Sequence, residues 1–120
     1  MVVYLICSQT NDLNLYKIGF TKRDIKKRIA DLQTGNANEI YLIDYFESKW
    51  STKIERYLHK LFKEKRLKGE WFSLSDNDLE IFKEKCQMIH NNFEILENEN
   101  TLVELIGRKM IGQSTQSLRI

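Results

Sequence analysis

Residues 16–28 read YKIGFTKRDIKKR, and this stretch restricts the fold more than any other in the chain. Its first residues are aromatic and β-branched, as in a strand, and its second half has the makings of a helix. Gly19 marks an expected turn between the two. Lys17, Lys22, Arg23, Lys26, Lys27 and Arg28 stand here against one acid, Asp24. A helix start beside such a cluster offers backbone N–H groups and charge-assisted donors, and both suit phosphate oxygens. A basic run is also the ordinary signature of a solvated helix face, so the rest of the chain has to decide.

Upstream, VVYLICS (2–8) is a strand and QTNDLN (9–14) is turn chemistry, which makes residues 2–19 a hairpin with a second strand at Leu15–Gly19. Thr21 or Asp24 can cap the basic helix, whose Ile25, Ile29 and Leu32 fall on one face. Gly35 ends it. EIYLIDYFES supplies a third strand. Ser48 or Ser51 can cap a second helix to about Lys65, with Ile54, Leu58, Leu61 and Phe62 as its core stripe. Residues 66–69 form a linker, and GEWFSL is a short strand or turn. Ser75 opens a third helix that runs to about His90, with Leu79, Phe82, Cys86 and Ile89 inward and His90 structural. Asn91–Asn100 is polar and acidic, an expected break. A last helix is expected over 101–111, a candidate self-association element, and a frayed end over 112–120. The fold class is therefore α/β in the α+β sense: a small, mainly antiparallel three-stranded sheet flanked by helices, with a domain at 1–90 and an extension at 91–120.

At 120 residues the chain has the length of one domain that can bury its own core. No apolar run is long enough to cross a membrane, and the N-terminus lacks the basic residues of a signal peptide. Cys7 and Cys86 have no metal-ligand spacing, so both are expected as reduced thiols in an intracellular compartment. The net charge of +2 conceals a division. Residues 17–68 carry +7 and residues 69–120 carry −4. The basic middle is a footprint for a polyanion, and the acidic end is not.

VVY at 2–4, KIG at 17–19, Arg28, and Glu55 in a helix occur in an order and spacing that resemble the GIY-YIG endonuclease superfamily. YKIG followed by an arginine, then E-R-Y-L-H, then GEWF, looks like its T5orf172 / MUG113-type branch. The resemblance covers roughly residues 1–85. It implies a divalent-metal-dependent DNA endonuclease in which Tyr4, Lys17, Arg28, Glu55 and His59 are catalytic. Glu55 corresponds to the single metal-binding glutamate, for Mg²⁺ or Mn²⁺. Tyr4 contacts the attacking water or the scissile phosphate. Arg28 aims its planar guanidinium at a phosphoryl oxygen. His59, at i+4 from Glu55, orients the water, binds a phosphate or caps Glu55.

Lys17 stands where the superfamily usually has a tyrosine, as a phosphate ligand or a base. Tyr16, an additional candidate, faces the opposite side of the same strand. Thr21, Lys22, Arg23 and Lys27 are candidate contacts to DNA phosphates. Glu70 is a further polar candidate, because GEWF lies where many members carry an active-site asparagine and this chain has none. That departure keeps a second reading open, a catalytically inactive nucleic-acid-binding module of the same fold. The expected partner is DNA. So small a domain has little surface for reading sequence, so any specificity has to come from a dimer, a separate recognition partner or the structure of the DNA.

Overall fold

The computed structural model describes residues 1–109. Strands β1 (Val2–Gln9) and β2 (Asn14–Thr21) form an antiparallel hairpin in which Tyr4 lies opposite Gly19 and Ile6 opposite Lys17. The turn between them closes where the Thr10 amide and hydroxyl both donate to the Leu13 carbonyl, at 2.9 and 2.7 Å. Helix α1 (Ile25–Thr34) leads to β3 (Ile40–Glu47), which pairs antiparallel with the other edge of β1. After α2 (Ser51–Leu61) and one 3₁₀ turn (Lys63–Lys65), two short strands, β4 (Arg66–Lys68) and β5 (Trp71–Phe72), precede α3 (Asp76–Lys109). The strand order is β3-β1-β2-β5-β4, every pairing antiparallel.

The architecture is thus α+β with a five-stranded antiparallel sheet, not the three-stranded sheet expected. Residues 66–68, expected as linker, are a strand. Segments of three and two residues are too short to display a period of their own. They are recruited by the turn at Gly69, whose φ of +59° suits glycine, and by Phe72, which is fully buried.

Side chains alternate across the strands, so cross-strand partners share a face. One face carries Tyr4, Ile6, Lys17 and Gly19. Ile25, Ile29 and Leu32 of α1 pack there against Tyr4, Ile6 and Ile40, as the stripe predicts. The opposite face carries Leu5, Ile18 and Phe72, all fully buried. Helix α2 lies on this side through the edge-on contact of His59 with Phe72, and α3 through the ion pair of Lys83 with Asp44. Ile54, Leu58 and Phe62 are buried, whereas Leu61, at the end of α2, stays 44% exposed. Neither candidate serine caps α2, whose N-cap is Trp50 with no side-chain cap bond. The serines instead shape the turn before it, Ser48 Oγ accepting the Trp50 amide at 2.9 Å and the Ser51 hydroxyl donating to the Ser48 carbonyl at 2.6 Å. Ser48 Oγ also meets His90 Nδ1 at 2.8 Å, which gives His90 its structural role. Cys7 and Cys86 are buried free thiols, and burial pushes the Cys86 thiol up to about 12. Among the described residues no helix is long and apolar enough to cross a membrane.

Helix α3 begins with a reciprocal cap. The Ser75 amide donates to Asp78 Oδ2 at 2.9 Å, and the Asp78 amide donates to Ser75 Oγ at 3.2 Å. Lys65 closes the site as an ion pair with the same carboxylate. Burial acts to raise the Asp78 pKa, but the bonds from Lys65 and Ser75 outweigh it and hold the group below its ordinary value. A carboxylate depressed on folding stabilises the fold above its unfolded pKa, and that contribution is lost as pH falls through the folded value. Asp78→Ala is therefore expected to destabilise the protein by about 1–2 kcal/mol at pH 7. The gap between variant and parent should narrow below about pH 3. Urea denaturation at the two pH values measures both effects.

The expected break at Asn91–Asn100 is absent. The helix continues to Lys109, because the segment is polar but holds neither Pro nor Gly. The chain nonetheless divides into two compact units between His90 and Asn91. In the second unit Ile95, Leu96, Leu102 and Val103 are exposed on the helix, and the Thr101 hydroxyl donates to the Glu97 carbonyl at 2.9 Å. The expected frayed end at 112–120 lies outside the described residues.

Candidate active site

Gly19 does not turn the chain, and β2 runs through it to Thr21. Its task is close packing. A Cβ built at Gly19 would lie 2.5 Å from the Tyr4 hydroxyl oxygen and 2.6 Å from Cζ, so the Tyr4 ring lies directly across the bare Cα. Tyr4 is 1% exposed and is fixed there by the α1 stripe. From α1, Arg28 Nε donates to the Tyr4 hydroxyl at 3.4 Å. That bond, followed by the charges of Asp31 and Glu70, pushes the guanidinium above its already high range against a counteracting desolvation. Arg28 is half-buried, one step off the apolar stripe, as its position between Ile25 and Ile29 predicts.

Lys17 emerges two residues before Gly19, on the same face. In the sheet it pairs with Trp71 of β5, and this register brings the neighbouring Glu70 carboxylate to 2.9 Å from Lys17 Nζ. The Lys17 side chain is 15% exposed and that of Glu70 is 55% exposed. The Lys17 hydrogen bond draws the Glu70 pKa below its ordinary value, with His59 and Arg28 acting in the same direction. Glu70 therefore reaches the site, but as the partner of a lysine. Tyr16 is not brought together with these groups. It pairs with Phe72, faces the opposite side, and has its phenol pushed up by burial and then by Cys7.

Glu55 and His59 come from α2, at i and i+4. Glu55 Oε1 stands 3.8 Å from His59 Nε2, too far for a hydrogen bond. His59 Nε2 instead meets the Ile18 carbonyl at 2.7 Å, and the ring packs edge-on against Phe72 with centroids 5.1 Å apart. The Glu55 side chain is 20% exposed. Burial raises its pKa, and the charge of Glu70 adds to the rise. His59, Arg56 and Lys17 oppose it without cancelling it. Glu55 thus feels Lys17, His59 and Glu70, and Glu70 feels Lys17, His59 and Arg28. The register and the helix spacing bring five of the expected residues into one electrostatic neighbourhood, with Tyr4 joined to it through Arg28.

The remaining basic candidates divide. Thr21 is buried and its Oγ1 accepts the Arg23 amide at 3.0 Å, shaping the loop into α1. Arg23 forms an ion pair with Asp31, a partner no motif singles out. Asp24, not Thr21, caps α1 by accepting the Lys26 amide at 2.8 Å. Lys22 and Lys27 are exposed.

No group of three or more His, Cys, Asp or Glu side chains among the described residues is arranged to hold a metal ion. The residues present fit a divalent ion held by one carboxylate. Glu55 is covered, its charge is disfavoured by its surroundings, and a hard cation completed by waters and phosphate oxygens would relieve it.

A protein of Invertebrate iridescent virus 6, named Uncharacterized protein 460R, is 33% identical over 114 residues, covering 90% of this chain and 49% of the viral protein. The chain thus spans about half the length of this curated relative. No solved structure matches. The T5orf172 domain matches residues 1–97, and with the Tyr4–Gly19–Arg28 group and the Glu55 helix inside that span, the chain belongs to the T5orf172 domain family, a GIY-YIG-like, nuclease-associated family.

Proposed function

We propose that this domain is a divalent-metal-dependent endonuclease that hydrolyses phosphodiester bonds of DNA. The observation that carries the reading is that Lys17 and Arg28 both act on Glu70 and Lys17 also acts on Glu55, whose carboxylate is covered and its charge only partly offset. Two cations of different shape suit one phosphodiester. The guanidinium, anchored at Nε by Tyr4, keeps its terminal N–H groups for a phosphoryl oxygen. Lys17 supplies a point charge once Glu70 yields to the phosphate. Glu55 would hold Mg²⁺ or Mn²⁺, which supplies Lewis-acid stabilisation of developing negative charge when bound.

Water attacks phosphorus in line, and the bond to the leaving oxygen breaks as the new P–O bond forms. Tyr4 or Lys17 helps the attacking water shed its proton. Arg28 stabilises the charge that spreads over the equatorial oxygens. Lys22 and Lys27, exposed at the start of α1, serve the flanking backbone.

Supercoiled plasmid incubated with the protein in Mg²⁺, Mn²⁺ or EDTA tests the reading. Nicking should require the metal, and Arg28→Ala should slow it by about two to three orders of magnitude. Arg28→Ala cutting at the parental rate would overturn the proposal. DNA binding with no cutting under any condition would leave an inactive binding module, a reading consistent with the Lys17–Glu70 ion pair.

A further inference from the structure

We propose that His59 is a positioning residue that sets the height of Glu55 over the edge of β2. Its Nε2, the nitrogen nearest Glu55, is committed to the backbone and serves neither as base nor as phosphate ligand. The inference deepens the nuclease reading and rests on it for its kinetic test. A backbone carbonyl can only accept, so the 2.7 Å contact with Ile18 requires His59 Nε2 to carry the proton and donate it, whatever the charge on the ring. A nitrogen committed in this way has no lone pair for a water.

The place of the bond matters as much as its direction. Strand β5 pairs with β2 only at Tyr16 and Lys17. Past Lys17 that edge of β2 has no strand partner among the described residues, and His59 takes up the first carbonyl there. Ile18 lies between Lys17, one phosphate ligand of the proposed site, and Gly19, over which Tyr4 is packed. Glu55 sits one helical turn before His59 on the same face of α2. Phe72, fully buried, packs edge-on against the ring, with centroids 5.1 Å apart. One side chain thus joins the carboxylate helix to the strand bearing the other half of the site.

The test compares the parent with His59→Gln and His59→Leu in plasmid nicking, with turnover and DNA affinity measured separately. Gln can present an amide N–H near the position of Nε2 but cannot transfer a proton at neutral pH. His59→Gln should keep turnover close to the parent, whereas His59→Leu should lose about 10- to 100-fold in turnover at unchanged DNA affinity. Should the Leu variant not fold, His59→Asn, polar but too short to reach the carbonyl, takes its place and should show the same loss. A Gln variant as impaired as the Leu variant would give His59 a chemical role and overturn the inference. So would a Leu variant with parental turnover.

If the parent cuts no DNA, the nuclease reading fails by itself, and the positioning role is read from the Glu55 carboxyl ¹³C signal. That signal, read at a pH high enough to keep Glu55 ionised in all three proteins, should move in His59→Leu and hold in His59→Gln. A signal unmoved by Leu would overturn the inference.

Discussion

Glu55→Gln is expected to lose cleavage by about two orders of magnitude or more and yet melt no lower than the parent. The two effects share one origin. The folded protein disfavours the charge on Glu55, chiefly by burial and then through Glu70, so the carboxyl's folded pKa lies above its ordinary value. A carboxyl raised on folding opposes stability once pH passes its unfolded pKa, because ionisation is easier in the unfolded chain. The amide keeps the shape and removes the charge. The advantage of Glu55→Gln in melting temperature should therefore be present at pH 7 and disappear at low pH, where the parental carboxyl is also neutral. Thermal melts at pH 7 and pH 4 beside the nicking assay provide the check. A variant that melts well below its parent at pH 7 would mean that Glu55 is a structural ion-pair member and not a carboxylate kept charged for function.

Gly19→Ala should be nearly as damaging, by a steric route. The added methyl carbon would lie 2.5 Å from the Tyr4 hydroxyl oxygen, 2.6 Å from Cζ and 3.0 Å from Cε1. Such distances force movement, and the ring has little room, being wedged among Ile6, Ile25, Ile29 and Leu32. A destabilisation of about 2–3 kcal/mol is expected from overpacking. Nicking by the molecules that remain folded should fall at least about tenfold, since displacing the phenol removes the bond that anchors Arg28. Urea denaturation and nicking well below the melting point separate the two effects. Parental stability would show that the ring can shift aside freely.

These two residues also show what the amino-acid order does and does not disclose. Tyr4, Lys17, Arg28 and Glu55 are singled out by the order and spacing they share with the GIY-YIG superfamily, not by periodicity. β1, β2, β3 and the α1 stripe are legible because their period is plain. The role of Gly19 is not. A glycine between a strand and a helix suggests a turn, and only the hairpin register, which sets Gly19 opposite Tyr4, turns it into a packing requirement.

Glu70 is similar. Its charge is visible in GEWF, but its partner depends on β5 pairing at Lys17 and Trp71, and two residues of strand carry no pattern of their own. The i+4 spacing puts His59 on the Glu55 face of α2. Its bond to a backbone carbonyl leaves no trace in side-chain identities. At Asn91–Asn100 polarity suggested a break, but a helix ends where the backbone resists or a cap competes, and neither occurs there.

The Lys17–Glu70 pair has a consequence for how this protein would find its substrate. Lys17 and Arg28 are offset by Glu55 and Glu70, so at rest the formal charges of the four cancel. A neutral cluster exerts little pull on a distant polyanion. Attraction over a Debye length must come from the cations outside it, Lys22 and Lys27 among them, within the segment 17–68 that holds the positive excess. Capture and turnover are then assigned to different residues. Salt should govern the first, through counterions released along the DNA backbone. On the proposed nuclease reading, the second should begin only when a phosphate displaces the Glu70 carboxylate from Lys17, so that only a closely seated phosphodiester would be cut.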